Sequence, residues 1–564
     1  QRLTEAEHPI DVDELLIVTF TEAAASEMKE RILIAIEKKL EEKPDDVHLQ
    51  RQASLIHNSM ITTIHSFCLS VIREHFHTID LDPGFRIGEE GELKLLKKDV
   101  LEELLEAEYE EANPAFLEFV ERYATGRDDK KLEELIQQVY EFSRSYPNPS
   151  RWLQSCVDAY EAGSVGEWLE SPAVRLVEEN IRRYADDAVS LLEGGIRICE
   201  EPDGPYMYKE ALEAEKEGWL YLKAAENLGD MFARKGNAEG GKLKANRDKS
   251  VSKELSEQVK EIRKQTKGFL TDILKNYLFQ SPEEMIEDMK FAKTTVEELV
   301  FLVERFAEAF AEKKRSRNLI DFGDMEQLAL QILTEEKEGE LVPSIVAGEY
   351  QKQFKEIMID EYQDSNLIQE AILTSVSTIW QGKYNIFMVG DVKQSIYRFR
   401  LSRPELFMEK YDTYDLEDGE KQRIDLHKNF RSRREVLDST NFVFRQIMTK
   451  GLGGIAYDDN AALYFGAEYY KERTGNETEV LIVDTDVEIP SEEQAQETAR
   501  EMEARAVARR IKELMEHHTV MDKETGEFRN VQYRDIVILT RSLKGWTDVF
   551  TKVLNREGIP TYTG

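Results

Sequence analysis

Cysteine is nearly missing from this sequence: there are three in 564 residues. Cys68, Cys156 and Cys199 are far apart and form no C-x-x-C pair, so neither a disulfide framework nor a zinc site is expected, and a reducing, cytoplasmic setting fits best. Long apolar runs are also absent. LLIVTF at 15–20 and NIFMVG at 385–390 fall far short of the roughly 20 residues a membrane helix needs, so no membrane partner is expected. The opening residues, QRLTEAEHPIDVDE, lack the basic start, apolar stretch and cleavage site of a signal peptide, and they lack an initiator Met. With the strand-like close GIPTYTG, they lead us to expect a segment of a longer protein.

Positive charge is in deficit, with 75 Lys and Arg against 112 Asp and Glu and a formal charge of −37. Spread evenly, that charge would repel nucleic acid, but binding depends on local basic grooves and not on the sum. The acid is concentrated: 89–121 is dominated by Glu and Leu, whereas 393–403 and 421–434 are locally basic. The acidic stretch reads as a solvated helix face.

What is present suffices for several cores. Hydrophobic residues make up 41% and aromatics 9%, which excludes a disordered chain, and a domain size of roughly 100 to 200 residues implies three or four domains. LLIVTF reads as a buried parallel strand, and TEAAASEMKERILIAIEKKL after it places Ala25, Met28, Ile32 and Ile36 at helical spacing. MITTIHSFCLSVIREHF at 60–76 passes from β-branched to helical spacing. From about 88 to 316 the pattern is almost wholly helical, broken at SYPNPS, EPDGP and KGNAEGGK. Strand and helix alternate again at FKEIMID (354–360), NIFMVGD (385–391), KQRIDLHKNF (421–430) and RDIVILTRS (534–542), which predicts a doubly wound parallel sheet with ligands at strand carboxyl ends.

Three runs could carry chemistry. IMIDEYQDSNLIQ delivers Asp360 and Glu361 side by side at a strand end, where one carboxylate can hold a nucleotide's magnesium and the other polarise the attacking water. A strand end that merely surfaces into solvent is the plainer alternative. FMVGDVKQSIYRFR places Gln394 in a turn after a strand, able to sense a terminal phosphate. It then interleaves Tyr397, Arg398, Phe399 and Arg400, as single-stranded nucleic acid binding requires, although a lone Tyr-x-Phe is more often core. LHKNFRSRREVL puts Asn429, Phe430 and Arg431 where a strand hands over to a helix, and an arginine there can neutralise charge on a transferred phosphoryl group.

Together, IVTFTEAAASEMKERI, ITTIHSFC, IDFGDM, IDEYQD, VGDVKQSIYRFRLSRPELF and NFRS resemble, in order, the motor of superfamily-one DNA helicases of the UvrD/RecB type. RLSRPELF stands where UvrD-like members show a short Arg-Gly-Ala turn, which favours the AddA branch of helicase/nucleases.

The resemblance implies an α/β RecA-like P-loop NTPase motor, a parallel sheet with flanking helices, carrying a large all-helical insertion. The first motor domain would occupy 1–87 and 319–418, the insertion 88–318, and the start of the second motor domain 419–564. It implies ATP and Mg2+ as cofactors, with Asp360 and Glu361 at the metal, Glu361 as catalytic base, Gln394 at the γ-phosphate, Phe430 packing on adenine and Arg431 reaching the nucleotide. DNA contacts fall on Thr19, Phe20, Thr21, Thr63, His65, Ser66, Phe67, Tyr397, Phe399 and Arg400. His65, alone in an apolar run, has a structural role as its ordinary alternative.

The implied function is an ATP-dependent 3′–5′ DNA helicase/exonuclease component that processes double-strand ends for recombinational repair. Its partners would be single- and double-stranded DNA and an AddB-type helicase/nuclease protein. A stand-alone UvrD-type repair helicase without nuclease is the first alternative, and a non-catalytic scaffold for DNA or protein is the second. The last helicase motifs and the nuclease domain are expected beyond residue 564.

The family's phosphate loop, G-x-x-x-x-G-K-[ST], has no acceptable copy here. Gly236, Gly241 and Lys242 have its spacing, but position 243 is Leu, which cannot ligate magnesium, and no apolar strand precedes it. Without the lysine that grips the β- and γ-phosphates, this chain is expected to hydrolyse ATP negligibly. DNA-stimulated phosphate release that disappears in Glu361→Gln would overturn that expectation.

Overall fold

A computed structural model describes residues 3, 9–124, 128–161, 163–398, 401–470, 477–484, 499–522 and 525–563. The chain divides into two units, 1–390 with 396–406, and 391–395 with 407–564.

In the first unit, the β-branched runs become a four-stranded parallel sheet. Its strands are β1 (Leu15–Thr19), β2 (Met60–Thr63), β3 (Glu356–Ile359) and β4 (Ile386–Met388), in the order β2-β1-β3-β4. Every residue of β1 is buried, as an inner parallel strand covered on both faces requires. Its register sets Val18 beside both Thr62 and Ile359, and the Asp360 N–H donates to the Val18 carbonyl at 2.9 Å.

The first two strands pass into capped helices. Thr21 accepts from Ala24 N–H to start α1 (Glu22–Glu42), and Thr63 accepts from Ser66 N–H to start α2 (Ile64–His75). Along α2 the buried positions are Ile64, Phe67, Cys68, Val71, Ile72 and His75, a helical stripe that turns His65 and Ser66 to the other face.

No strand occurs between 90 and 316 among the described residues. Two helical cores fill this stretch. One gathers Leu101, Phe116, Ile136, Phe306 and Phe310, the other Ile181, Leu192, Leu212, Trp219 and Ile273. Two helices of the first cluster, α3 (Lys130–Ser143) and α4 (Pro149–Asp158), are joined by the loop that SYPNPS marks. The long α5 (Pro282–Ser316) runs about 50 Å at 1.5 Å per residue. It opens with Pro282 behind a Ser281–Glu284 capping box and ends in Lys313, Lys314 and Arg315, each favourable to its end of the helix dipole. The two ends of the stretch meet in a short parallel pair, Arg86 with Leu319 and Ile87 with Ile320.

The IDFGDM run then forms α6 (Phe322–Leu333), capped by reciprocal bonds between Asp321 and Asp324. Lys314, buried at 3% exposure, sits against both carboxylates at 2.8 and 2.5 Å, and Arg144 reaches Asp324 at 2.8 Å. Helix α7 (Leu367–Ser375) follows β3.

The second unit departs from the sequence-based strands. KQRIDLHKNF pairs as a strand only at Lys428–Asn429, against Tyr464–Phe465. RDIVILTRS forms no strand, and Val537 and Leu539 stay exposed. Strand structure comes from a ladder partner and side-chain packing more than from an intrinsic preference, and among the described residues no strand pairs with 536–540. The core of this unit is small, built on Ala508, Ile511, Leu554 and Ile559.

Burial drives the Asp321 carboxyl upward, but the charge and hydrogen bond of Lys314, helped by Arg144, carry it net below its ordinary value. A depressed carboxyl stabilises fully above its unfolded value near ~3.9 and loses that contribution as pH falls through the lower folded value. Lys314→Met, which strips Asp321 of its ion-pair partner and leaves Asp324 with Arg144 alone, is expected to destabilise the first unit by roughly 3 kcal/mol. Denaturant unfolding at pH 7 measures it, and the gap to wild type should shrink in acid as the carboxyls protonate.

Candidate functional site

The carboxyl ends of β1 and β3 open into a cleft of about 440 Å³ whose lining includes Thr19, Phe20, His65, Arg144, Glu326, Asp360, Glu361, Asn366, Gln369 and Tyr397. Asp360 and Glu361 stand at its edge. Glu361 adopts a left-handed backbone (φ 51°), which turns the chain sharply after the strand, and its N–H donates to Asp360 Oδ1 at 3.1 Å. Gln363 Nε2 donates to Glu361 Oε2 at 2.6 Å and fixes that carboxylate. Mg2+ is held by one or two carboxylates plus substrate phosphates, which this pair matches. Among the described residues no cluster of three or more His, Cys, Asp or Glu suited to an all-protein metal cage exists.

Phe20 and Tyr397 form one aromatic wall, their centroids 4.7 Å apart and planes 33° apart. Thr19 is buried and its hydroxyl donates to the Thr21 carbonyl, while Thr21 caps α1. His65 Nε2 lies 3.4 Å from Glu326 Oε1, with Phe322 edge-on to its ring. Gln369 and Asn366 both donate to the same Glu326 carboxylate.

Phe67 requires a correction. It is fully buried, edge-on to Tyr350 and tilted against Phe354, so it packs the core and offers no surface to DNA. The periodicity of α2 already carried that signal. Phe399 and Arg400 lie outside the described residues.

Thr63 and Ser66 are brought together by a residue that sequence reasoning passed over. Both hydroxyls donate to Glu22 Oε1, at 2.8 and 2.7 Å. Arg144, Glu141 and Ser145 were also missed; they enter the cleft from the helical stretch and belong to no motif. Glu326 lies three positions beyond Gly323 of IDFGDM, and only its burial marks it.

In the second unit, Gln394 Nε2 donates to Asp391 Oδ2 at 3.0 Å, and Lys393 pairs with Asp391 at 2.8 Å. Phe430 is exposed. Arg431 is exposed too, its N–H held by Asn429 Oδ1 at 2.9 Å and its carbonyl by the Tyr470 hydroxyl.

The parallel sheet with flanking helices, acids at an inner strand end and a helical insertion define a RecA-like α/β motor. The chain belongs to the UvrD/REP helicase family, whose N-terminal-domain model matches residues 2–415. It is 44% identical to the ATP-dependent helicase/nuclease A-component of Lachnoclostridium phytofermentans over all of this chain and 43% of that protein. It is 40% identical to the proteins of the same name from Clostridium beijerinckii, over 99% of this chain and 46% of that one, and Bacillus licheniformis, over 100% and 46%. The chain thus spans a little under half the length of these relatives. Among the described residues no helix is long and apolar enough to cross a membrane.

Hydrogen bonds from Ser66 and then Thr63 hold the Glu22 carboxyl below its ordinary value. Ser66→Ala is therefore expected to move the Glu22 titration back toward higher pH, and carboxyl-carbon NMR reads the shift. An unchanged titration would mean that the hydroxyl contact does not form in solution.

Proposed function

We propose that this chain is the motor portion of an ATP-driven 3′–5′ DNA helicase. On this reading it works within an AddA-type helicase/nuclease that unwinds and trims double-strand ends for recombinational repair. The observation that carries the reading is one cleft lined both by the strand-end pair Asp360–Glu361 and by the Phe20–Tyr397 wall. A device that turns nucleotide chemistry into movement along a strand needs these two elements within reach of each other.

When bound, Mg2+–ATP supplies the phosphoryl transfer to water that drives the cycle. Asp360 would hold the ion and Glu361, fixed by Gln363, would orient and deprotonate the water. Gln394, Phe430 and Arg431 would meet the γ-phosphate, the adenine and the developing charge. Phosphate-gripping loop residues would come from outside these 564, in keeping with the share of the relatives that the chain spans. Thr19, Thr21, Thr63, His65 and Ser66 would track the strand, with Phe20, Tyr397 and Phe399 stacking on bases and Arg400 meeting phosphate. Such contacts grip without reading sequence. An AddB-type protein would complete the complex in the cytoplasm.

Single-stranded DNA binding across a salt series tests the reading. Wild type should show a steep salt slope, and Phe20→Ala and Phe399→Ala should each weaken binding by about 1–3 kcal/mol at unchanged slope. A folded wild type that fails to bind at low salt would overturn it.

A further inference from the structure

A single strand of nucleic acid brings a negative charge with every nucleotide, and the cleft has little with which to meet it. Among the described residues, Arg144 is the only Lys or Arg in the lining. The carboxylates that share the lining are mostly engaged. Glu141 pairs with Lys97 at 2.9 Å, and Glu326 accepts from Gln369 and Asn366 at 2.7 and 3.3 Å. Asp364 accepts from Gln363 Nε2 at 3.4 Å, and Asp360 and Glu361 suit a metal ion. The Phe20–Tyr397 wall offers rings to bases but no charge to the phosphates between them.

Arg144 is held where it stands. It caps the C-terminus of α3, where the helix dipole favours a cation. Its carbonyl accepts from Gln327 Nε2 at 3.1 Å, and its guanidinium lies 5.8 Å from the centroid of the Tyr140 ring. Nη2 donates to Asp324 Oδ1 at 2.8 Å, while Lys314 donates to Oδ2 of the same carboxylate at 2.5 Å. Asp324 thus has a second counter-charge, and it occupies only one nitrogen of a group that carries five N–H donors in a fixed fork. Among the described residues Nε and Nη1 make no hydrogen bond, and the side chain keeps 23% of its surface exposed. A guanidinium fixed at one nitrogen and open at the others can take a phosphate on its fork with little rotamer freedom left to lose.

We propose that Arg144 binds a phosphodiester of the single strand that enters this cleft, so that the helical insertion supplies the cation that the strand ends of the motor lack. This rests on the DNA reading above. The strand is then held by two parts of the first unit at once, its bases by aromatic rings of the motor and one phosphate by the insertion.

Two measurements on the 564-residue chain test the assignment. The first is oligo-dT binding across a salt series by wild type and Arg144→Gln, both shown to be folded by circular dichroism. Loss of one phosphate contact to a single strand should lower the slope of log K against log salt by about 0.7 and weaken binding by about ten-fold at low salt. Arg144→Gln that keeps the wild-type slope, whatever its affinity, makes Arg144 a structural tie to Asp324 and overturns the proposal. The second needs no variant: modification of wild type by p-hydroxyphenylglyoxal, read at Arg144 by peptide mass spectrometry. With oligo-dT at about ten times its dissociation constant, modification should slow by about ten-fold, and Mg2+–ATP alone should leave it unchanged. Undiminished modification with the strand bound overturns the proposal and leaves the DNA reading standing. Protection by Mg2+–ATP and not by oligo-dT would give the residue to the nucleotide and also overturn it. Failure of folded wild type to bind oligo-dT at low salt refutes both readings.

Discussion

The parallel pairing of β1 with β3 is the constraint on which the rest of the first unit depends. It joins Leu15–Val18 to Glu356–Ile359 across an interval that holds most of the helices, and it places Asp360 beside the chain that leaves Thr19. Slipping this register by one residue would turn every side chain to the opposite face, and the acids would leave the cleft edge together. A large insertion between paired strands is tolerable because closure entropy grows slowly, by only about 0.6 kcal/mol per doubling of loop length. The insertion also closes its own base. The two-residue pair of Arg86–Ile87 with Leu319–Ile320 brings its ends together before the chain re-enters the sheet.

Charge is handled differently at the surface and at this base. The acidic excess is largely solvated, in surface pairs such as Lys98–Glu102 that contribute little. Where the insertion meets α6 the pairs are partly buried instead, with the buried Lys314 between Asp321 and Asp324 and Arg144 on the second acid. Buried pairs add less net stability than their geometry suggests, but losing one partner is severe because the other charge is stranded. Any seating of α5 that drew Lys314 away from the two acids would therefore be penalised. The Arg144 pair with Asp324 ties the loop after α3 to the same helix α6.

What could be read from the sequence was whatever has a period or a strand end. The apolar runs at 15–19, 60–63 and 356–359 are strands, the first buried throughout and the other two at alternate residues, and the acids at 360 and 361 follow by position. The motif assignment misplaced Phe67, since order along the chain outweighed the 3.6-residue stripe that puts it inward. Glu22, Arg144 and Glu326 were invisible for another reason. Each gains its role from a partner far away in sequence: Thr63 and Ser66, Asp324, and His65 with Gln369. No local pattern marks such a residue. The strands expected at 421–430 and 534–542 show the converse limit, since an apolar alternation names a willing strand but not its partner.

These features meet at the cleft. The strand-end turn after Asp360 is sharp because Glu361 is left-handed, and the turn carries Ser365 to the Arg403 N–H. The side chain of Arg403 faces the other way and holds Tyr146, in the loop between α3 and α4. One residue thus touches both the turn that leaves the acids and the helical stretch, while Phe20 and Tyr397 wall the same cleft. Strain at Leu401 and the unpartnered hydroxyl of Ser402 are held in place by these contacts of Arg403, because such conformations persist only where the surroundings over-determine them.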